Sequence, residues 1–564
     1  MVRTNRVTGR PHRRETLRHG LAVAVAATVL LGSCSSDDDT SSTDAAGTQA
    51  SSSTGASTES SGASTESSGA GADTSAPATT TGENAGGSGE ALVIARGMDV
   101  NSLDPSLSYC DTCQIFMTAV YETLIGLADD NTTLEPRLAT KWESNAEQTE
   151  FMFTLDPNAT FADGSKVTSA DVKFSWERLK GLEGSSSYLV GSIETIDTPD
   201  EGTVVVTLSA ANSAFLAQVN APYLGIINMK VAEANGATMD PTTDKAEAWF
   251  LANSAGSGPF ALAAYAEGNE LRLSRNDAYW GDAAAFPEVI IKETPQAVTQ
   301  RQQLEQGAVD IAMQISADVA EGMSGSDVVV ERVPSFNYVY LALSPGAVGA
   351  EELTPEVREA IRLALDYEGL IDVTVGGAGQ SQPSPIPNGF LGTAGLPAAA
   401  QDVDKAKQLL ADAEVTELTL DATYPSFNVY GVDFSTAMQK VQTDLKEVGI
   451  TLELNPVEIA VWAEKVSGDG IPVTMLYFAP DHTDPSQYVQ YFGMLDGSAW
   501  QARAKAEVTP SEQPLLDEAF ATQDLDARGA LYNELALAMI ADQIIIPLVN
   551  PDLFLATRAD ITGM

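Results

Sequence analysis

The sequence predicts an α/β protein whose folded part divides into two or three subdomains. Three observations lead there. From about residue 91, some 474 residues keep a steady apolar content, enough for more than one sizeable core. Strand-like and helix-like periodicities alternate along them. A helical pattern near 434–448 runs into Gly449 and directly into the strand pattern "ITLELNPV", the unit from which α/β architectures are built.

The elements follow in chain order. Six arginines precede residue 20 (Arg3, Arg6, Arg10, Arg13, Arg14, Arg18), and the apolar run Leu21–Leu31 comes next. A basic start, a short apolar core and small residues read as a secretory signal over residues 1–33. This eleven-residue stretch covers about half of the ~20 that a bilayer crossing needs. Arg13-Arg14 raises twin-arginine export, but Thr16 stands where that motif wants an apolar residue, so the export route stays open. The stretch "LLGSC" resembles the lipobox of bacterial lipoproteins, which implies cleavage before Cys34 and a diacylglycerol on its thiol.

Residues 34–89 form the next unit. They are Ser, Thr, Gly, Ala and acidic residues, with "GASTESS" in tandem at 55–61 and 62–68. Such a segment cannot offset its ordering entropy and is expected to be a disordered tether. The 55 residues that follow Cys34 reach roughly 40 Å as a flexible chain.

The charge balance excludes some partners. Removing residues 1–33 takes away six arginines and Glu15, leaving 25 Lys+Arg against 77 Asp+Glu, a net charge of −52. So acidic a surface argues against nucleic acid and against adhesion to anionic lipid. Membrane contact is therefore expected through the N-terminal lipid alone. Because the charge is spread along the whole chain, general solubility or a salty habitat explains it better than a cationic ligand does.

Further along, "TVVVTLSA" (203–210) reads as a strand. "TPEVREAIRLAL" (354–365) reads as a helix with Thr354 as N-cap, Pro355 at the first helical position, and Val357, Ala360, Ile361, Ala364 and Leu365 on one stripe. In the 434–448 helix, Phe434, Ala437, Met438, Val441, Leu445 and Val448 share a face.

Cysteines are scarce: Cys34, Cys110 and Cys113. Outside the cytoplasm, with Cys34 lipidated, the remaining pair is expected to be a disulfide that pins the loop around Tyr109. A redox centre would want a strand-to-helix context, and zinc needs about four nitrogen or sulfur ligands. Past the signal the one histidine is His482, far away in sequence. We expect no metal and no cofactor.

Ten blocks in order resemble the solute-binding proteins of ABC importers, family 5, the oligopeptide/dipeptide/nickel-binding class. They are "SLDPSLS" (102–108), "VYETLIG" (120–126), "LEPRLATKWE" (134–143) and "FTLDPNATFADGSKVTSADVKFSWERL" (153–179). "GSGPFAL" (256–262), "RNDAYWG" (275–281) and "QLEQGAVDIAM" (303–313) follow, then "VREAIRLALDYEGLI" (357–371), "SPIPNG" (384–389) and "VDKAKQLLADAE" (403–414). Most of the blocks are structural: "FADGS" reads as a turn, and "SADVKFSWERL" as a helix capped by Ser169.

The resemblance covers nearly all of 91–564 and implies a two-lobed periplasmic-binding-protein-like fold (type II, cluster C). It places lobe I at 91–335 with a subdomain inserted at about 130–215, lobe II at 336–540, and a return to lobe I at 541–564. It implies a monomer that captures a peptide or other small solute between its lobes and hands it to the permease and ATPase subunits of an importer. The expected place is the outer face of a bacterial cell membrane.

Within "LYFAPDHTDPSQY" (476–488), Phe478, Asp481, Asp484 and Pro485 fall where the family's peptide binders carry an aromatic, an ammonium-binding aspartate and Asp-Pro. The family usually has Trp at the position of Phe478. Tyr109, Phe336 and Asn337 are further candidates by position, with plain packing as the competing account of each. No catalytic residue is expected. A Ser-His-Asp or Cys-His arrangement would have His482 as its single base, and neither Gly-x-Ser-x-Gly nor His-Glu-x-x-His occurs. An oligosaccharide held by Trp462 or Trp500 is the alternative solute, and a sensor or adhesin the alternative role.

Overall fold

The computed structural model describes residues 91–128, 133–323 and 327–563. Cys34, the signal and the tether lie outside them. The architecture is α/β and two-lobed. Lobe I is built on a seven-stranded mixed sheet, in the order Val328–Val333, Leu553–Arg558, Ile311–Ala312, Leu92–Arg96, Glu288–Glu293, Glu270–Arg275, Phe260–Ala266. The central strand Leu92–Arg96 runs parallel to both neighbours. Lobe II is built on a six-stranded sheet, in the order Gly379–Gln380, Ile545–Pro551, Tyr338–Leu343, Val473–Phe478, Leu418–Pro425, Ile450–Val457. Residues 139–208 supply a separate four-stranded antiparallel sheet.

The chain crosses between the two large sheets twice, and the crossings lie side by side. Strand Val328–Val333 of the first sheet leads into Tyr338–Leu343 of the second, and Ile545–Pro551 leads back into Leu553–Arg558. Ser335 Oγ donates to the Pro551 carbonyl at 2.7 Å, and Asn550 Nδ2 to the Ser335 carbonyl at 2.9 Å. Arg332 pairs with Asp552. The return to lobe I is therefore at residue 552, not at 541. Ile545–Pro551 is a buried strand of the second sheet because it hydrogen-bonds to Tyr338–Leu343.

Local chemistry explains the elements. Helix Pro355–Ala364 starts where the Thr354 hydroxyl accepts from Val357 N–H, with Pro355 at N1, where a missing donor costs nothing. Helix Phe434–Glu447 is capped by Asp433 and ends before Gly449, whose φ of +92° suits glycine. Strand Ile450–Val457 then pairs in parallel with Leu418–Pro425. Thr203–Leu208 is a strand as expected. The cap of helix Ser169–Leu182 is Thr168 rather than Ser169. Thr168 and Asp171 make a reciprocal capping box, and Ser169 Oγ donates to the Asp200 carbonyl at 2.6 Å.

One buried ion cluster ties this helix to the first loop. The Arg178 guanidinium meets Asp104 at 2.6 Å and Asp244 at 3.0 Å, with the Arg178 and Asp104 side chains fully covered. Ser106 Oγ accepts from Arg178 at 2.9 Å. Replacing Arg178 leaves two buried carboxylates without their cation. Arg178→Ala is expected to lower the unfolding free energy by about 3–5 kcal/mol. Urea denaturation measures it, and a loss under about 1 kcal/mol, the range of an exposed pair, would contradict this reading of the cluster.

Candidate functional site: a buried carboxylate between the lobes

Strand Val473–Phe478 ends at Ala479-Pro480, and Pro485 opens the short helix Ser486–Phe492. Proline cannot extend the ladder and fixes its own φ, so 479–485 becomes a tight connection. Gln487 holds it. Its Oε1 accepts from Asp481 N–H at 2.8 Å, and its Nε2 donates to the carbonyls of His482 and Asp484. The Asp481 side chain then projects from lobe II with 7 % of the residue exposed.

Two phenols of lobe I reach it. Tyr188 Oη donates to Asp481 Oδ2 at 2.5 Å and Tyr109 Oη at 2.8 Å. No basic side chain among the described residues pairs with this carboxylate. Burial pushes its pKa above the ordinary aspartate value, against the hydrogen bonds from Tyr188 and Tyr109, with nearby Asp111 adding to the rise. Burial and the same carboxylate push both tyrosines upward. A buried carboxylate that lacks a cation is chemically suited to receive one.

Tyr109 is supported by its own loop and by Tyr223. Cys110 and Cys113 are joined as a disulfide, with Cα atoms 4.9 Å apart, at the start of helix Asp111–Val120. Tyr109 N–H donates to Asn101 Oδ1 at 2.9 Å, and its ring lies 5.3 Å from that of Tyr223. The lobes also meet where Tyr430 Oη donates to Asp111 at 3.1 Å and where Ser213 N–H donates to the Phe520 carbonyl at 2.9 Å.

The other candidates divide. The Phe478 ring is partly covered and packs 5.1 Å from Tyr491 and 5.3 Å from Tyr488. Tyr488 continues to Phe390 at 5.0 Å, and Phe390 to Phe336 at 4.8 Å. Phe336 thus extends the same aromatic band and is 43 % exposed. The Asn337 carbonyl accepts from Asn550 Nδ2, so its main chain ties the two crossings together.

Asp484 does not belong with Asp481 as a ligand group. It pairs with Arg528, accepts from Tyr532 Oη at 2.9 Å, and takes Ser486 N–H at 2.9 Å. Both oxygens are committed inside lobe II. Beside it, burial pushes the His482 imidazole down to about 4, and its Nδ1 accepts from Asp484 N–H at 3.2 Å. Trp500 is fully buried and Trp462 nearly so, so neither offers a face for sugar stacking. Tyr188 escaped sequence reasoning. It sits in "SSSYLV", a 3-10 turn of Ser185–Val190, where nothing but the fold points it at Asp481. Among the described residues no group of His, Cys, Asp and Glu is arranged to hold a metal, and no helix is long and apolar enough to cross a membrane.

Two lobes, paired crossings and a polar group enclosed where the lobes meet are the architecture of a solute-binding protein. Residues 133–499 match the bacterial extracellular solute-binding proteins, family 5, and the chain belongs to that family. It is 28 % identical over 481 residues to the "Probable D,D-dipeptide-binding periplasmic protein" of Escherichia coli (strain K12), covering 84 % of this chain and 91 % of that one. It is 23 % identical over 454 residues to a "Probable di/tripeptide-binding protein" of Pseudomonas aeruginosa (strain UCBPP-PA14), covering 76 % and 84 %.

Among solved structures, the PBP AgaA from A. tumefaciens R10 in complex with agropinic acid superposes with a TM-score of 0.70 at 25 % identity, covering 84 % of this chain and 94 % of that one. A dipeptide-binding protein from Pseudoalteromonas sp. SM9913 in complex with Met-Leu shares the fold, with a TM-score of 0.72 at 20 % identity over 84 % and 97 %. Family members are extracytoplasmic, bind solutes including peptides, and work with ABC importers rather than as enzymes.

The two aspartates are expected to respond oppositely to mutation. Asp484→Ala leaves Arg528 buried and unpaired and lowers the unfolding free energy by about 3–5 kcal/mol. Asp481 has a folded pKa above its unfolded value, so its stabilising contribution is complete below the ordinary aspartate range and is lost as pH rises through the raised value. Asp481→Asn removes that loss. The variant is expected to be at least as stable as the parent at pH 7, with a flatter stability profile above pH 4. Thermal unfolding across pH 4–8 checks both.

Proposed function

We propose that this chain captures peptides or similar amine-bearing solutes between its lobes and delivers them to an ABC importer. One observation supports it above the others: Asp481 is a buried carboxylate, held by phenols of the opposite lobe, with no protein cation among the described residues. The ligand's α-ammonium supplies the missing charge. A hydrogen bond to a charged group contributes about 1.5–3 kcal/mol net, and the enclosed site excludes the water that would weaken it. Phe478 and the band running to Phe336 offer apolar surface for side chains, Tyr109 and Tyr188 orient the carboxylate, and Asn337 sits at the turning point.

Cys34 takes the lipid and residues 34–89 serve as the tether, which holds a monomeric body near the outer face of the cell membrane. The relatives named for di- and tripeptides favour peptide over other solutes. With Trp462 and Trp500 inside the core, the oligosaccharide reading has lost the residues it rested on.

Calorimetric titration of Asp481→Asn against a peptide panel tests the site. Affinity is expected to fall at least 30-fold, because a buried ammonium loses its counter-charge at a cost of about 2–5 kcal/mol. Unchanged affinity in the variant would refute the assignment. Anchoring has its own test. Cys34→Ser is expected to move the protein from the membrane fraction to the soluble fraction in the producing bacterium, and continued membrane retention would refute a lipid at that thiol.

A further inference from the structure

Lobe II buries a carboxyl pair that the solute site does not use. Glu512 opens the helix Glu512–Ala521 and is fully covered. Its carboxyl group lies within hydrogen-bond reach of that of Asp542, the last residue of the helix Leu525–Asp542. Among the described residues no donor meets either Glu512 oxygen or Asp542 Oδ2 in hydrogen-bond geometry. Asp542 Oδ1 accepts from the Thr509 hydroxyl at 2.7 Å.

The cation beside the pair does not neutralise it directly. Arg358 faces it from the helix Pro355–Ala364, but Nε donates to the Asp542 carbonyl at 3.1 Å and Nη1 to the Leu353 carbonyl at 2.7 Å. It forms an ion pair with neither carboxyl group. Glu356, the other acid near Arg358, is exposed. The Met494 N–H stands close enough to favour a charged Glu512, but burial and Asp542 outweigh it. Two carboxylates side by side and out of water repel, and neither has a hydrogen to give. One proton between them removes a charge and turns the contact into a hydrogen bond. Burial, then the charge of Asp542, push Glu512 up to about 9, and burial raises Asp542 as well.

The place of the pair gives that proton a task. The two helices pack against each other as a hairpin joined through 522–524, with Glu512 and Asp542 across its open end. Just beyond Asp542 begins Ile545–Pro551, the strand that leads to the second crossing. The hairpin's tip meets lobe I. Ser213 N–H donates to the Phe520 carbonyl at 2.9 Å and Ser213 Oγ to the Ala519 carbonyl at 3.0 Å, while Gln523 Nε2 donates to the Ala146 carbonyl at 3.1 Å. We propose that Glu512 and Asp542 share one proton that clasps this hairpin, so that its tip stays on lobe I until the proton leaves in alkaline solution. The clasp acts on closure whatever solute the cleft holds. The folded value of Glu512 lies above the unfolded one, so the stabilising contribution is complete below the ordinary glutamate range and is lost as pH rises through the raised value.

Two measurements on the full chain test this. Infrared spectroscopy reads the proton through the carbonyl band of an un-ionised carboxyl group. At pH 7 the band is expected to be weaker in Glu512→Gln than in the parent, and the difference to vanish at about pH 10, above the raised value. Hydrogen exchange reads the hairpin. Glutamine keeps a donor toward Asp542 at every pH, so parent and variant are expected to exchange alike at pH 7. At about pH 10 the parent is expected to exchange roughly 3-fold faster or more, both in the helix Glu512–Ala521 and in the segment that carries Ser213.

Equal infrared bands at pH 7 overturn the shared proton. Equal exchange in alkaline solution overturns the clasp, as does a helix that loosens while the Ser213 segment keeps its protection. If Glu512→Gln does not fold, Asp542→Asn, which likewise leaves one acid beside one amide, takes its place with the same expected and contrary results.

Discussion

The enclosure of Asp481 is the constraint on which the rest of this structure depends. A carboxylate removed from water is costly unless donors or a cation replace its hydration. The protein supplies two phenols, and both come from the opposite lobe. With the lobes together the two phenols compensate the charge only in part, which is why burial raises the Asp481 pKa, and a cation is what would complete the compensation. Under the proposed function, binding of a cationic group at Asp481 and closure of the lobes are coupled. A ligand that favours the closed state shifts the hinge by its differential affinity for that state.

Much of the surrounding chemistry keeps this one group in place. From below, Gln487 rivets the connection that carries it, and Asp484 with Arg528 and Tyr532 anchors the next turn. Across the cleft, Arg178 fixes the loop through Asp104, and the disulfide fixes the start of the following helix. Tyr109 lies between those two anchors. The flanking supports are rigid, while the crossings near Ser335 and Asp552 are short and lie side by side, which suits a hinge.

The fold was largely legible in the sequence because turn and cap residues mark it. Thr354-Pro355 and Gly449 act where their chemistry says they should. The cap is Thr168, one residue before the expected Ser169, because both are good caps and only the Asp171 partner decides between them. The return to lobe I comes later than the expected residue 541. Ile545–Pro551 and Leu553–Arg558 are both apolar strands, and no local property tells which sheet each joins.

The site was legible in part. Asp481 and Asp484 look alike three residues apart, yet one meets phenols and the other a guanidinium. That difference is set by Arg528, 44 residues further on, and by Tyr188, 293 residues back. Long-range partners leave no trace in a local pattern.

The most direct measurement is the identity of what the mature chain retains. Denaturing the purified protein and analysing the released solutes by mass spectrometry reads the ligand without a prior choice of candidates. The account predicts small peptides or related molecules with a free primary ammonium. Recovery of a neutral oligosaccharide would contradict it, because such a solute leaves the Asp481 charge uncompensated in its closed site.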